Sequence, residues 1–290
     1  MEPKFSVVIP TKDREEILIK SLDAAIPAVK ALQGEIIIVN DSSAPLNIVE
    51  QSQEWVRVTN NPKKGVAAAR NHGSVLSRAD LLIFMDDDFL VDEEGLSIIL
   101  NLTRQHPDRA YLLNWEYPPT TLNWLRKERF GRFLIKHNWV SLKGWSQLNN
   151  WNDQAPFPVE VGASYLLPIL RKNFEAIGGY DEQFPHAGAE DYDFCSRLGK
   201  HGIQFFIYPM KIVYHNETDR LELVSFLERR KRNAVTFKVA VSLGYKNLAL
   251  TYGPIKAAVL KTIYKLQPVL VQLLAIVPNK RFFDSVCFKC

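Results

Sequence analysis

Three consecutive aspartates, Asp86-Asp87-Asp88, follow the apolar run Leu81–Met85. Carboxylates so close repel one another unless a cation or solvent intervenes. In extended backbone alternate side chains share a face, so Asp86 and Asp88 are expected to face one side and to share one hard divalent ion while Asp87 points away. A solvated turn, which aspartate also favours, is the alternative. A second acidic cluster, Glu190, Asp191 and Asp193, lies in HAGAEDYD at 186–193, where a helix is predicted to begin. The helix dipole favours ionised carboxylates there, so Asp191 is expected to be a weak but dependably ionised base. Helix capping by the same residues is the alternative.

Such groups need a scaffold. Phe5–Ile9, Glu35–Val39, Trp55–Thr59 and Leu81–Met85 read as buried strands. Between the first two, Ile17, Leu18, Leu22, Ala25, Ile26 and Val29 recur at helical spacing, with Pro27 expected to kink or shorten that helix. Gly65 precedes a second helical stretch, Val66–Leu76. Repeated strand, helix, strand implies right-handed crossovers and an α/β fold, a mostly parallel doubly wound sheet. In such sheets ligands bind beyond the carboxyl ends of the strands, where Pro10-Thr11-Lys12-Asp13, Asn40-Asp41-Ser42-Ser43 and the three aspartates fall. NNPKKGVAAARN at 60–71 enters a helix with Lys63, Lys64 and Arg70 near its start, an arrangement that attracts a diphosphate. An ordinary loop with solvated lysines is the alternative. There is neither a G-x-G-x-x-G after the first strand nor a Walker A lysine motif, which excludes support for dinucleotide dehydrogenases and P-loop enzymes.

Five of the six tryptophans fall between Tyr111 and Pro158, in a stretch that reads as an insertion of short helices and loops. After it, Val159–Pro168 reads as a strand, Arg171–Ile177 and Asp191–Lys200 as helices, and Ile203–Tyr214 as one or two strands broken at Pro209. Residues 221–290 are helical and basic, with no strand signal. The expected division is 1–110, 111–220 and a basic helical extension, 221–290.

Together the motifs carry a family resemblance. FSVVIPTKDR at 5–14, IIIVNDSS at 36–43, GVAAARNHG at 65–73, LIFMDDDFLV at 82–91, GGYDEQF at 178–184 and EDYDFCSRL at 190–198 resemble, in order, the family 2 glycosyltransferases of GT-A fold. The resemblance implies an inverting transferase that moves a sugar from a nucleotide diphosphate donor, with uridine favoured. It also implies that 1–110 is a nucleotide-sugar-binding half and 111–220 an acceptor-binding half. The Thr11 and Asp41 positions would hold the nucleoside and Arg70 would lie near the nucleotide. Asp86 and Asp88 would form a D-x-D holding Mn2+ or Mg2+ on the diphosphate. The nucleotide-binding candidates are thus Pro10, Thr11, Asp13, Asp41, Arg70, Asp86 and Asp87. The second residue of the E-D pair, Asp191, would be the base, with Glu190 binding acceptor or donor hydroxyls. His215, just after the last strand, is a candidate third metal ligand, since neutral imidazole binds Mn2+; a hydrogen-bonded structural histidine is the alternative. Lys12-Asp13 replaces the family's frequent Tyr-Asn, and Asn40-Asp41-Ser42-Ser43 its Asp-Asp-Gly-Ser, so the base recognised stays open.

Direct displacement at an anomeric carbon needs one carboxylate to take the acceptor proton and a metal to stabilise the departing diphosphate. The acceptor is expected to be a glycan or a lipid-linked molecule. Indole faces pack against sugar rings and amides bond hydroxyls, which makes Trp151 and Asn150, with Asp153, the candidate acceptor contacts; packing of an irregular insertion is the alternative. A nucleotidyltransferase acting on a sugar phosphate and a non-catalytic carbohydrate-binding protein of the same fold are the competing functions.

The 290 residues are 47% hydrophobic and carry a formal +4, which excludes disorder and a disulfide scaffold. Residues 221–290 hold 12 Lys+Arg against 3 Asp+Glu, so the rest of the chain is acidic. A nucleic-acid partner is not expected, since its basic stripe would lie on the folded domain. The run Arg229-Arg230-Lys231-Arg232, followed by Ile255, Val259, Ile263 and Leu266 beside Lys256, Lys261 and Lys265, suits a helix lying on an anionic membrane. A solvated face on a packed helix is the alternative. Neither a signal peptide nor a membrane span is read from the apolar runs. The expected location is cytoplasmic, with a peripheral position on the cytoplasmic face of a membrane as the further possibility. Cys287 and Cys290 form a terminal C-x-x-C, weak support for zinc or lipidation.

Overall fold

A computed structural model describes residues 2–48, 54–249 and 252–276. Cys287 and Cys290 lie outside the described residues.

The first half is built from β1 (Ser6–Thr11), α1 (Glu15–Ala31), β2 (Glu35–Asn40), β3 (Val56–Asn60), α2 (Val66–Leu76) and β4 (Leu81–Met85). Every residue of β1, β2 and β4 is buried, as strands covered on both faces require. Ile17, Leu18, Leu22, Ala25 and Val29 form the buried side of α1. That helix runs on past Pro27 to Ala31 and is not shortened. Pro27 and Asp23, whose carbonyl loses its donor, are both exposed, so the unpaired carbonyl is open to solvent. Gly73 sets the approach of α2 to the sheet: a Cβ there would stand 2.3 Å from Val8 Cγ1.

There follow β5 (Phe89–Leu90), α3 (Glu93–Gln105), β6 (Arg109–Glu116), the short helices α4 (Pro119–Leu125), α5 (Arg129–Lys136) and α6 (Leu142–Ser146), then β7 (Phe157–Val159) and β8 (Leu166–Leu170). The main sheet has the order β3-β2-β1-β4-β8, parallel except for β8. After α7 (Arg171–Ala176) and α8 (Glu190–Lys200), β9 (Gln204–His215) forms a second, mixed sheet ordered β5-β9-β6, with β7 also on β9. The interval that reads as irregular from Tyr111 onward therefore opens inside a buried strand, β6. The break expected at Pro209 is a bulge within one strand. Leu113 pairs with Tyr208 and Asn114 with Ile212, so Pro209, Met210 and Lys211 are looped out where proline needs no donor.

Two helices close the described chain, α9 (Leu223–Ser242) and α10 (Pro254–Ile276). α9 packs on the body through buried Phe226, Thr236 and Ala240. Beyond it, Tyr245 donates its hydroxyl to Asp193 at 2.7 Å. Among the described residues no helix is long and apolar enough to cross a membrane.

Candidate active site

The carboxyl ends of β1, β2 and β4 meet on one edge of the main sheet. After Met85 the chain turns, with the Phe89 N–H donating to the Asp86 carbonyl at 3.4 Å. Extended-strand alternation therefore does not apply to the three aspartates, which diverge. Asp86 Oδ1 accepts from Arg70 Nη2 at 2.7 Å. Asp87 accepts from Thr11 Oγ1 at 2.7 Å and from Arg14. Asp88 accepts from Arg14 Nη1 at 2.8 Å. Arg14 also forks onto Asp219, with both bonds 2.9 Å. Thr11 and Asp87 thus satisfy each other inside the fold.

Register brings the next group in. β5 runs antiparallel to β9 with Phe89 opposite His215, and the two rings stack at 4.5 Å. His215 Nε2 consequently lies 3.3 Å from Asp88 Oδ1 and 3.8 Å from Glu217 Oε2. Ligand atoms of Asp88, His215 and Glu217 all fall within 4.8 Å of one another; Asp86 is outside the group. Glu217 is held by the Tyr117 hydroxyl, which donates at 2.5 Å, and by Arg229. Asp88 Oδ1 and His215 Nδ1 are buried without a hydrogen bond. Two carboxylates, one of them with an orphaned oxygen, and one imidazole fit a divalent cation. Burial works to raise the Asp88 pKa, but the charges of His215, Arg14 and Arg220 outweigh it and hold the group well below the usual carboxylate range. Burial likewise opposes ionisation of Glu217, and His215 with Arg229 overcomes it. His215 is raised in turn, because Glu217 and Asp88 outweigh its burial.

Arg70 links this turn to the second acidic cluster. Its Nη1 donates to Glu190 Oε1 at 2.9 Å, and its guanidinium lies 5.1 Å from the Tyr180 ring centroid. The other Glu190 oxygen accepts the Gly188 N–H at 2.6 Å. Asp191, half-buried at the first turn of α8, accepts the Tyr192 N–H at 2.8 Å. Burial, then the charges of Glu190 and Asp86, push Asp191 up to about 7 against the pull of Arg70. The low, dipole-stabilised pKa expected from the helix start is therefore not found, because the dipole is weaker than desolvation beside a second carboxylate.

Asp41 Oδ1 accepts from Asn61 Nδ2 at 2.7 Å and from the Gly65 N–H at 3.0 Å, while Lys12 lies 3.1 Å from Oδ2. Gly65 adopts φ 103°, a conformation that side chains disfavour. Pro10 is buried in the ladder opposite Val39, and Asp13 is exposed with φ 53°. Lys63 turns to Glu182 at 2.6 Å. Trp151 donates its indole N–H to Asp153 at 2.7 Å and meets Phe157 edge-on at 5.3 Å. Its contacts lead to β7, and Asn150 is exposed beside it; none of these contacts reaches Glu190 or Asp191.

Sequence reasoning overlooked Arg14, Tyr117, Glu217, Asp219 and Arg229. Arg14 stood inside a quoted motif, and Glu217 follows His215 by two residues, the one local signal available. The basic run of α9 is also partly internal. Arg229 closes on Glu217, and the Arg230 guanidinium lies 5.0 Å from the ring of Trp145 and 4.9 Å from that of Phe226.

Residues 6–174 match the family described as glycosyl transferase family 2, and residues 147–220 the description N-terminal domain of galactosyltransferase. Over 207 residues the chain is 26% identical to polypeptide N-acetylgalactosaminyltransferase 3 of Mus musculus, covering 65% of this chain and 32% of that protein. Over 234 residues it is 25% identical to validoxylamine A glucosyltransferase of Streptomyces hygroscopicus subsp. jinggangensis, covering 69% and 52%. The chain thus spans about a third and about half of these relatives. The structure superposes on that of GalNAc-T7 with UDP, GalNAc and Mn2+ with TM-score 0.55 and 15% identity, covering 73% of this chain and 43% of that one. It superposes on S. aureus TarS 1–349 in complex with UDP-GlcNAc with TM-score 0.51 and 16% identity, covering 73% and 57%. At these identities the likeness is one of fold, the α/β GT-A architecture.

Proposed function

Because the chain belongs to glycosyl transferase family 2, we propose that it transfers a sugar from a nucleotide diphosphate sugar to an acceptor hydroxyl, with inversion at the anomeric carbon. The observation that carries this reading is Arg70, which binds Asp86 and Glu190 at once. It thereby joins the acidic turn after β4 to the start of α8, so a donor-binding group and a candidate base stand in one cluster.

Asp41, anchored by Asn61 and Gly65, would meet the nucleoside, with Pro10, Thr11 and Asp13 shaping the end of β1. Arg70, with Asp86 and Asp87 behind it, would border the nucleotide. Asp88 and His215, backed by Glu217, would hold Mn2+ or Mg2+. Once bound, that cation supplies charge stabilisation to the departing diphosphate. The likeness to a structure containing UDP and Mn2+ supports uridine and manganese as first choices.

Asp191 then takes the acceptor's proton while the acceptor oxygen bonds to the anomeric carbon. The bond from that carbon to the diphosphate breaks, and the nucleoside diphosphate leaves with the electron pair. A carboxylate pushed up to about 7 suits this task, since a general base works best with a pKa near the working pH. Arg70 and the Gly188 N–H hold Glu190 in one orientation, which fits it to bind a sugar hydroxyl. The indole of Trp151 and the exposed amide of Asn150 are assigned to a glycan or lipid-linked acceptor on their chemistry.

A panel of nucleotide sugars with Mn2+, scored for products, tests the reading. The expected products are a nucleoside diphosphate and a glycoside of inverted anomeric configuration by NMR, with a UDP-sugar preferred. Pyrophosphate release would make the protein a nucleotidyltransferase. Calorimetry showing no nucleotide binding would make it a non-catalytic carbohydrate-binding protein.

A further inference from the structure

α10 is a 23-residue helix that leaves the body almost bare. Ile255 is 82% exposed, Tyr264 61% and Leu273 53%. Among its described contacts outside the helix, the Lys231 ammonium of α9 lies 5.9 Å from the Tyr264 ring centroid and the Lys256 ammonium 5.0 Å from that of the neighbouring Tyr252. At 3.6 residues per turn, Ile255, Val259, Leu266, Val269, Leu270 and Leu273 share one side. Lys256 flanks that side on one edge and Lys265 with Gln272 on the other, while Lys261 lies further round. An apolar side of this extent, left in water, calls for a cover.

Three covers are conceivable, and charge separates them. The body does not supply one. A second copy packed on that side would bring the flanking Lys256 and Lys265 to the seam, with no Asp or Glu between residues 252 and 276 to pair with them. An anionic bilayer satisfies both features, taking the apolar side into the acyl boundary and the ammonium groups at its phosphates. Arg232 and Lys238 of the neighbouring α9 are exposed as well and extend the positive surface.

We propose that α10 is an interfacial anchor that lies in the plane of an anionic membrane surface. It does not depend on the transferase reading, because lipid binding is read without donor or metal. The test uses the full chain with vesicles of phosphatidylcholine alone and of equal parts phosphatidylcholine and phosphatidylglycerol. Flotation with the anionic vesicles only, weakened by salt, is expected. Lys256→Gln/Lys261→Gln/Lys265→Gln should lower partitioning on the order of a hundredfold, about fivefold per lysine. Leu266→Asp/Leu270→Asp should abolish it with the thermal unfolding of the body unchanged. Failure to float with anionic vesicles, or unchanged partitioning of the lysine variant, overturns the proposal. So does a dimer by light scattering that Leu266→Asp/Leu270→Asp converts to monomer, which would make a second copy the cover.

Discussion

Arg70 Nη1 donates to Glu190 Oε1 at 2.9 Å, across 120 residues of sequence. Both side chains are almost wholly enclosed, at 4% and 3% exposure. The ion pair joins the turn after β4 to the helix that carries Asp191, so the packing of the fold and the proposed chemistry depend on the same contact.

Removing one partner of a buried pair strands the other charge. Arg70→Met should therefore destabilise the protein by about 3–5 kcal/mol in urea unfolding. Adding Glu190→Leu should recover much of that loss. Two single losses that simply add would show that the pair does not couple.

Asp191→Asn keeps the shape of the side chain and removes its basicity. Transfer should fall by about 10²–10⁴-fold, the usual contribution of a general base. Nucleotide affinity by calorimetry should be unchanged. A fully active Asp191→Asn enzyme would end the assignment.

The same carboxylate sets a pH dependence. As the proposed base it would work ionised, and burial beside Glu190 pushes it up to about 7. Consequently kcat/KM should decline as pH falls through about 7 and level off above it, and this limb should vanish in the residual activity of Asp191→Asn. An acid limb near the ordinary aspartate value would contradict the buried assignment.

Glu217 is positioned by Arg229 from α9. Arg229→Met should weaken Mn2+ binding, titrated with UDP present, by about 10–100-fold, as loss of an outer-shell partner does. Asp88→Asn and His215→Ala should weaken it further. Chelation should stop transfer and added Mn2+ restore it. Undiminished Mn2+ affinity in all three variants would place the cation elsewhere.

Two glycines should respond oppositely to alanine. At Gly73 the new methyl meets Val8 at 2.3 Å, an overpacking that costs about 1–3 kcal/mol. At exposed Gly199, inside α8, the nearest atom is 4.0 Å away, and better helix propensity should add about 0.5–1 kcal/mol. Equilibrium denaturation of both variants compares them.

Local pattern was enough for the four parallel strands of the main sheet, because uninterrupted β-branched runs such as Glu35–Val39 have no stable place except between two covered faces; the strand read over Val159–Pro168 is instead β7 at Phe157–Val159 in the second sheet and the antiparallel β8 at Leu166–Leu170. It was also enough to put Thr11, Asp41 and the aspartates at strand ends, since position along a strand is a local property. Chain turns and long-range pairing lie outside local pattern. The divergence of Asp86 from Asp88 follows from a tight turn closed by Phe89. His215 reaches Asp88 only through the register of β5 against β9, which also brings Glu217 beside them. Arg229, read as part of a surface charge run, turns inward because α9 packs beside Glu217. The pKa of Asp191 depends on what surrounds it after folding, and a helix start is a poor guide when burial and a neighbouring carboxylate oppose the dipole. Residue types and their order therefore determined the architecture and the kinds of chemical group present. Only the tertiary structure decided which of those groups meet, because charge, burial and metal affinity act through space over a few ångströms and the sequence separates the partners by as much as 205 positions, as in Arg14 and Asp219.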